Sequence, residues 1–434
     1  MRGAAVLILF TSFLCACSQQ AFVKKITREI SAVEKKYQEN TGFLLYDPAS
    51  RKTLIDYHSS TYFTPASNTK ILTFYTSLQL LGDSIPALKY SIHNDSLIFW
   101  GTGDPSFLYR NVWSNTRTYD FLKNAPQQLY FSDTNFQTDH FGPGWAWDDY
   151  NFAFSSERTP FPAYGNYYSL AQAPNDTLNI IPAYFAPYLI QSKEQRTVPQ
   201  VVRNKDSNHV IFYPGKIKLK DTLNIPFRYN DELLADLLTD TLRRKVTSIN
   251  VIQPPDTRVL YSTPSDSVYR ELMEDSDNFI AEQLLLLCAD AISDTLKTEI
   301  AIAYSKKNFL FDLPDKPLWR DGSGLSRYNL ITPRSIVRVW EKIYIKVPSD
   351  RLFKLLATGG ESGTIKNYFK GDNHRPYVFG KTGTLSNNYS LSGFLVTEKG
   401  KTLIFSWMNN NYPTSVTEVR KNMEPILKSI HDHY

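Results

Sequence analysis

The chain has 434 residues, of which 42% are hydrophobic and 21% are charged, and its formal net charge is +5. A chain of this length exceeds one ordinary hydrophobic core, so we expect two or three domains. The net charge is small for this size and the basic residues are scattered, which gives no indication of nucleic-acid binding.

The first 17 residues have the composition of an export signal. Arg2 precedes an apolar run over residues 4–14 that is too short to span a bilayer, and small residues follow it. The sequence Leu14-Cys15-Ala16-Cys17 resembles a bacterial lipobox with Cys17 as the lipidated residue. The segment therefore predicts a periplasmic protein anchored to a bacterial membrane by lipid, and the alternative is a secretory signal without lipid.

The chain then predicts a helix, a hairpin and a second helix. Residues 21–39 alternate apolar and charged residues at helical spacing, and residues 41–46 and 53–57 predict two strands joined by a turn. At residues 65–70, Pro-Ala-Ser-Asn-Thr-Lys leads into an apolar run, so a helix is expected to begin there.

Ser67 and Lys70 are three residues apart at this helix start. Both side chains then project from one face, where an amine can reach a hydroxyl. Such a pair activates a serine without a histidine. Alone, the spacing is a weak signal, because a capping serine beside a solvated lysine is the commoner arrangement.

Residues 86–257 differ in composition, being rich in tyrosine, proline and asparagine. Short runs such as 96–100 and 210–213, separated by turn residues, predict mostly β structure, with one helix at 231–244. We expect an inserted domain or domains over 86–257, with a small β subdomain near 176–225.

Helical periodicity returns at about residue 258. Residues 267–275 and 279–292 predict two helices, which places Ser276-Asp277-Asn278 in the short connection between them. A helix cap also explains this trio, because all three residue types favour caps, and we interpret Asp277 as structural. Cys288 would be the one cysteine of the mature chain, so no disulfide framework is predicted, and we expect it to be buried in its helix.

The C-terminal part predicts three strands and a closing helix. The strands cover residues 377–384, 390–397 and 402–408, and the helix covers 416–431. The first strand carries Lys381-Thr382-Gly383-Thr384. Before it, Ser323 in the polar segment 321–327 is a second serine candidate, but no lysine lies three residues further on. We interpret that segment as structural or as a pocket wall.

These elements predict an α/β (α+β) fold with one antiparallel sheet of five strands covered by helices. The N-terminal hairpin and the three C-terminal strands would build the sheet together. The catalytic domain would then comprise 18–85 and 258–434, and 86–257 would be a large, mostly-β insertion between the first two motifs.

Three motifs stand in a fixed order: Ser67-x-x-Lys70, Ser276-Asp277-Asn278 and Lys381-Thr382-Gly383. This trio is typical of penicillin-binding proteins and class A β-lactamases. The sequence resembles the penicilloyl serine transferases, and most closely the class C low-molecular-mass penicillin-binding proteins, which are D-alanyl-D-alanine carboxypeptidases and endopeptidases. The resemblance implies a β-lactamase/transpeptidase-like fold.

The first two motifs supply the groups that acyl transfer requires. Ser67 is the expected nucleophile, at a helix start where the helix dipole favours negative charge. Lys70 is its expected base, and its pKa must be lowered by burial or by the charge of Lys381. Ser276 would relay a proton to the leaving nitrogen, and the Asn278 amide would hold a peptide group of the substrate.

The third motif would bind the end of the substrate. Lys381, Thr382 and Thr384 would face its terminal carboxylate, on a strand that pairs edge-on with an extended peptide. Gly383 would give room for that approach. The resemblance further implies an oxyanion hole formed by the backbone N–H groups of Ser67 and Thr384.

The predicted function is that of a serine D-alanyl-D-alanine carboxypeptidase/endopeptidase acting on peptidoglycan stem peptides and acylated by β-lactams. A serine β-lactamase, or an esterase or D-aminopeptidase of the same superfamily, is the alternative enzyme. A non-catalytic cell-wall-binding lipoprotein is the alternative from another class. The seven histidines form no metal-binding motif, and no metal or cofactor is predicted.

Overall fold

The structure, a computed structural model, describes residues 2–110, 112, 116–173, 177–372 and 375–434, and for residues 2–18 the backbone alone. The proposed lipidation site, Cys17, therefore lies outside the residues whose side chains are described. Within the described residues, no helix is both long enough and apolar enough to cross a membrane.

Two compact units make up the chain. Unit 1 comprises residues 1–71, 312–319 and 329–434, and unit 2 comprises residues 72–311 and 320–328. In the described residues the helices, in chain order, are α1 (Arg2–Tyr37), α2 (Lys70–Leu80), α3 (Arg117–Asn124), α4 (Asp231–Leu242), α5 (Ser265–Arg270), α6 (Asn278–Ser293), α7 (Thr298–Asn308), α8 (Pro333–Lys346), α9 (Ser349–Phe353) and α10 (Val416–His433). The strands are β1 (Asn40–Asp47), β2 (Lys52–Tyr57), β3 (Ser84–His93), β4 (Ser96–Gly101), β5 (Gln128–Ser132), β6 (Tyr167–Gln172), β7 (Leu178–Ile181), β8 (Leu189–Gln191), β9 (Gln200–Arg203), β10 (Val210–Tyr213), β11 (Leu223–Pro226), β12 (Val246–Ser248), β13 (Arg258–Pro264), β14 (Ala357–Thr358), β15 (Val378–Leu385), β16 (Asn388–Val396) and β17 (Thr402–Asn410).

Unit 1 is built on an antiparallel sheet in the order β14-β15-β16-β17-β1-β2. β1 pairs with β17 from Asn40 to Tyr46, so distant parts of the chain close one sheet, as predicted. The prediction of five strands is wrong by one. β14 has only two residues, which is too short for a period-two pattern to be visible in the sequence.

Helices cover both faces of this sheet. Successive side chains of a strand point to opposite faces, and two neighbours on β16 show what each face meets. Leu391 belongs to a buried core with Ile26 of α1 and Leu427 of α10. On the other face, Ser392 accepts a hydrogen bond from the indole of Trp340 on α8 at 2.9 Å.

Unit 2 is mostly β between the first and second motifs, as predicted. It contains a mixed sheet in the order β12-β5-β4-β3-β13 and two three-stranded sheets, β11-β6-β7 and β8-β10-β9. Unit 2 also contains Ser276, which the predicted boundaries assign to the catalytic domain. The boundaries 18–85, 86–257 and 258–434 stay a prediction.

The helix α6 of unit 2 is buried from Phe279 to Asp290, which explains its almost continuous apolar run. Cys288 lies within it, fully buried and not disulfide-bonded. Burial raises the pKa of its thiol to about 12. The expectation of a buried, structural cysteine is confirmed.

Candidate active site

The first motif lies in a 3₁₀ turn, Ala66–Thr69, that leads into α2. In a 3₁₀ helix, residues three apart lie directly above one another. Accordingly, Nζ of Lys70 lies 2.8 Å from Oγ of Ser67. Lys70 is fully buried and Ser67 is half-buried. The structure therefore brings the amine of a buried lysine within hydrogen-bonding distance of the hydroxyl of a serine that is not fully buried.

The turn that carries Ser67 is conformationally strained. Ala66 has a φ of 49°, in the left-handed region, which costs a non-glycine residue about 1–2 kcal/mol. Such a conformation persists where neighbouring structure holds it. Here Asn68 donates from Nδ2 to the carbonyl of Lys381 at 2.9 Å and accepts from the hydroxyl of Ser392 at 2.6 Å. Sequence reasoning missed Asn68, because both of its partners lie more than 300 positions away along the chain.

Gly383 lets β15 pass unusually close to the Ser67 turn. A Cβ atom at this position would lie 2.5 Å from the carbonyl oxygen of Pro65 and 2.8 Å from the backbone nitrogen of Ser67. From the sequence, we expected the lack of a side chain at Gly383 to make room for the substrate. In the structure, the turn that carries Ser67 occupies the position where a side chain of residue 383 would lie. The backbone N–H of Ser67 thus lies beside the strand, and the next strand residue, Thr384, is exposed.

The rest of the third motif is fixed by local hydrogen bonds. The buried Lys381 donates from Nζ to the carbonyl of Thr382 at 2.8 Å, and the Thr382 hydroxyl donates to that of Thr364 at 2.7 Å. β14 pairs with β15 only at Phe379–Gly380. On that side, residues 381–385 pair with no other strand of the described chain, so the strand edge is unpaired along this stretch.

In unit 2, the second motif is a tight turn between two helical segments. Ser276 follows a π-helical turn, Glu271–Asp275, and has a φ of 67°. Asp277 caps α6, because its Oδ1 accepts from the backbone N–H of Ile280 at 2.9 Å. The structural interpretation of Asp277 is therefore confirmed.

Two residues of the insertion hold this turn from outside. The hydroxyl of Tyr109 donates to Oδ2 of Asp277. The side-chain amide of Asn278 donates to the carbonyl of Phe154 at 3.0 Å. Neither Tyr109 nor Phe154 could be identified from the sequence, because nothing distinguishes them there from other aromatic residues far from the motif.

The polar segment around Ser323 is also structural. The buried carboxylate of Asp321 accepts from the backbone N–H groups of Gly324 and Ser326 at 3.0 and 2.7 Å. It also accepts from the indole N–H of Trp145 at 2.9 Å. Ser323 is fully buried, which does not suit a nucleophile that must meet substrate.

The predicted site residues fall in both units. Ser67, Lys70 and Lys381-Thr382-Gly383-Thr384 belong to unit 1, whereas Ser276 and Asn278 belong to unit 2. That the two groups meet around one substrate stays a prediction. Among the described residues, no group of three or more His, Cys, Asp or Glu side chains could hold a metal ion.

Comparison with known proteins gives a match along almost the whole chain. The D-Ala-D-Ala carboxypeptidase 3 (S13) family matches residues 23–431. The D-alanyl-D-alanine carboxypeptidase DacB of Haemophilus influenzae is 24% identical to this chain, over 92% of this chain and 91% of that protein.

The fold has close counterparts among solved structures. The crystal structure of penicillin binding protein 4 (dacB) from Haemophilus influenzae superposes with a TM-score of 0.72 at 23% identity, and covers 92% of this chain and 98% of that one. The same protein in complex with a β-lactam gives a TM-score of 0.68 at 20% identity, with the same coverage. At this identity the likeness shows the fold, and the predicted fold class is confirmed.

Proposed function

The chain belongs to the D-Ala-D-Ala carboxypeptidase 3 (S13) family, and we propose that it cleaves peptidoglycan stem peptides after a D-alanine through an acyl-enzyme on Ser67. The contact of 2.8 Å between the buried Lys70 amine and the Ser67 hydroxyl carries this proposal. The strained, rigidly held turn around that contact supports it, since strain of this kind gathers at active sites.

Lys70 acts as the base in the first step. Its neutral amine takes the proton of the Ser67 hydroxyl while Oγ attacks the carbonyl carbon of the penultimate D-alanine. The carbon–nitrogen bond then breaks, which leaves an ester on Ser67.

The leaving nitrogen needs a proton. Ser276 relays it from the Lys70 ammonium, and terminal D-alanine departs as a free amine; a water molecule then hydrolyses the ester by the reverse proton route. Asn278 holds a peptide group of the substrate. The cap at Asp277 supports these roles, because it fixes the backbone on which both side chains stand.

The unpaired edge of β15 receives the substrate as an added strand. Lys381, Thr382 and Thr384 bind its terminal carboxylate by charge and by hydroxyl groups. The N–H groups of Ser67 and Thr384 stabilise the oxyanion. The close approach at Gly383 supports this pairing, because it brings the Ser67 backbone to within contact of the strand that carries Thr384.

We place the enzyme in the periplasm of a bacterium, anchored by lipid on Cys17. The Leu-x-Ala-Cys sequence at 14–17 supports this location. β-Lactams, which mimic the substrate and leave slowly, acylate Ser67. The crystallised Haemophilus influenzae relative in complex with a β-lactam is consistent with that chemistry.

Release of D-alanine from a synthetic stem peptide ending in D-Ala-D-Ala tests the proposal. We expect turnover by the wild type, none by Ser67→Ala, and inhibition by penicillin through a stable adduct. Rapid release of hydrolysed penicillin without peptide cleavage would favour the β-lactamase alternative. No turnover and no adduct would favour a non-catalytic wall-binding protein.

A further inference from the structure

One end of unit 1 is lined with exposed basic side chains. Arg51 and Lys52 lie where β1 turns into β2, and Lys399 and Lys401 lie where β16 turns into β17. These four residues, the basic end, line two cavities of about 1080 and 490 Å³ that share Asp47, Ser50 and Lys401.

The basic end lies around Gln19, the first residue of α1 whose side chain is described. Gln19 lines the smaller cavity together with Lys52, Lys399 and Lys401. One turn later, the ring of Phe22 stacks on that of His433 at 3.6 Å. The chain is therefore held against this end only two residues after Cys17.

Cations outnumber acids among the charged side chains that line the two cavities, and Glu398 is an exposed acid in the same turn as Lys399. Burial, followed by the charges of Lys399 and Lys25, lowers the pKa of His433, as expected in a positive field. Ile345, which lines the larger cavity, is 76% exposed and presents an apolar side chain there. The charged side chains that line the two cavities are five cations, Arg51, Lys52, Arg338, Lys399 and Lys401, against two acids, Asp47 and Glu341.

We propose that the basic end docks on an anionic phospholipid bilayer. This inference rests on the lipid anchor proposed at Cys17, since an anchor there brings the basic end to the headgroups. The headgroup phosphates complement its charge, and each lysine at an anionic surface favours the docked state about fivefold. A lipid chain alone leaves the protein free to tumble on its tether, whereas a second, electrostatic contact gives it one orientation.

Docking in this way sets the height of the nucleophile above the membrane. Gly383, which touches the Ser67 turn, pairs with Ser390 on β16. β16 continues from there to Val396, three residues before Lys399, and six residues of strand span about 20 Å. Along β16 the Ser67 turn thus lies about 20 Å from the basic end, so docking through that end keeps the turn away from the headgroups.

Acetylation of lysines tests the docking on the full, lipid-modified chain in vesicles. One set of vesicles contains phosphatidylcholine alone, and the other contains added phosphatidylglycerol. On the anionic vesicles we expect Lys52, Lys399 and Lys401 to react more slowly by at least about fivefold, the factor for one lysine, and the difference to disappear at high salt. Equal reactivity on both kinds of vesicle would overturn the inference.

A variant pair separates this surface from a general effect of charge. Lys25, whose charge also acts on His433 at the basic end, should likewise be protected on anionic vesicles in the wild type. With Lys52→Ser, Lys399→Ser and Lys401→Ser combined, Lys25 should lose that protection. With Lys193→Ser, Lys216→Ser and Lys220→Ser combined, which removes three exposed lysines of unit 2, Lys25 should keep it. The opposite pattern would overturn the inference. Both variants should label with penicillin in solution as the wild type does, so a failure of docking with intact labelling leaves the proposed function standing.

Discussion

Ser67 and Ser276 each stand at a left-handed turn that opens a helix, yet the two turns are held in different ways. In unit 1, Ala66 takes the left-handed conformation, and the sheet holds the turn through Asn68 and the close approach at Gly383. In unit 2, Ser276 itself has the left-handed backbone conformation. Asp277 caps the helix that follows, and Tyr109 of the insertion donates a hydrogen bond to Asp277.

The difference indicates that the two turns have different roles, the first in the chemistry of acylation and the second in stability and positioning. The Ser67 turn is fixed to the sheet by the side chain of Asn68 and by the close backbone approach at Gly383, which suits a nucleophile that must stay in one place. The Ser276 turn is fixed within its own helical segments by the cap at Asp277 and the backbone bond from Asp277 to Glu271, and by Tyr109 of the insertion. Substitutions in the first turn should therefore affect chemistry most, and substitutions in the second should affect stability and positioning.

The largest effect is expected from Lys70→Ala. Loss of a general base lowers rates by about 10²–10⁴-fold, so penicillin acylation should fall by about 10³-fold while the protein stays folded. The matched control is Lys89→Ala, which removes a buried lysine outside the proposed site, 2.8 Å from the carboxylate of Asp290. That change should destabilise the protein without abolishing labelling of the folded fraction. Unchanged labelling of Lys70→Ala would refute its role as base.

The free energy of unfolding should depend on pH through one buried carboxyl group in each unit, over a different pH interval for each. Burial raises the pKa of Glu39 in unit 1 to about 7, from 4.5, and that of Asp104 in unit 2 to about 6, from 3.8. A raised carboxyl pKa means that, as pH rises, the folded state loses the proton at a higher pH than the unfolded state does. Stability therefore falls as pH rises through each interval, by about 3 kcal/mol per group.

Urea unfolding at a series of pH values checks this expectation. Glu39→Gln should remove the loss of stability between pH 4.5 and about 7, and Asp104→Asn should remove the loss between pH 3.8 and about 6. Glu418→Gln changes a carboxyl that is 42% exposed and serves as the control. A pH profile identical to that of the wild type in either buried variant would contradict the account for that unit.

Gly383→Ala tests how tightly the sheet braces the Ser67 turn. The added methyl group meets backbone atoms of Pro65 and Ser67, which cannot turn aside. We expect a loss of about 1–3 kcal/mol in unfolding free energy, together with slower acylation. Gly82→Ala is the control, because no atom lies within 4 Å of the added carbon. Equal behaviour of the two variants would show that the close approach has no consequence.

The smallest effects on acylation should come from the Ser276 turn. Asp277→Ala removes the cap of α6 and should cost about 1–2 kcal/mol in unfolding free energy. Tyr109→Phe removes the hydrogen bond from its hydroxyl to the carboxylate of that cap and should cost about 1.5–3 kcal/mol, as is usual for a bond to a charged group. Both changes should slow acylation without abolishing it, and Tyr261→Phe, at a tyrosine that is 44% exposed, is the control. Complete loss of labelling in a folded Tyr109→Phe protein would reverse the ranking of the two turns.

The sequence was most informative where contacts are local. Ser67 and Lys70 are three residues apart, so a helical turn alone brings them together. The strands of unit 1 and the closing helix followed from periodicity. The two-residue strand β14 did not, because so short a segment has no period.

Contacts between distant segments could not be predicted in the same way. Asn68 looks like any polar residue of a helix start, and its partners on β15 and β16 are chosen by the folded sheet. Tyr109 and Phe154 belong to an insertion whose sequence has no motif. Gly383 was recognised as part of a motif, but the reason for its missing side chain required the position of the Ser67 turn.

The most direct test of the account is the site of the penicillin adduct. The wild-type protein is incubated with penicillin and digested, and the modified peptide is sequenced by mass spectrometry. We predict one penicilloyl group on Ser67, absent in Ser67→Ala and still on Ser67 in Ser323→Ala. An adduct on Ser276 or Ser323, or no adduct on a folded protein, would contradict the claim that Ser67 is the nucleophile.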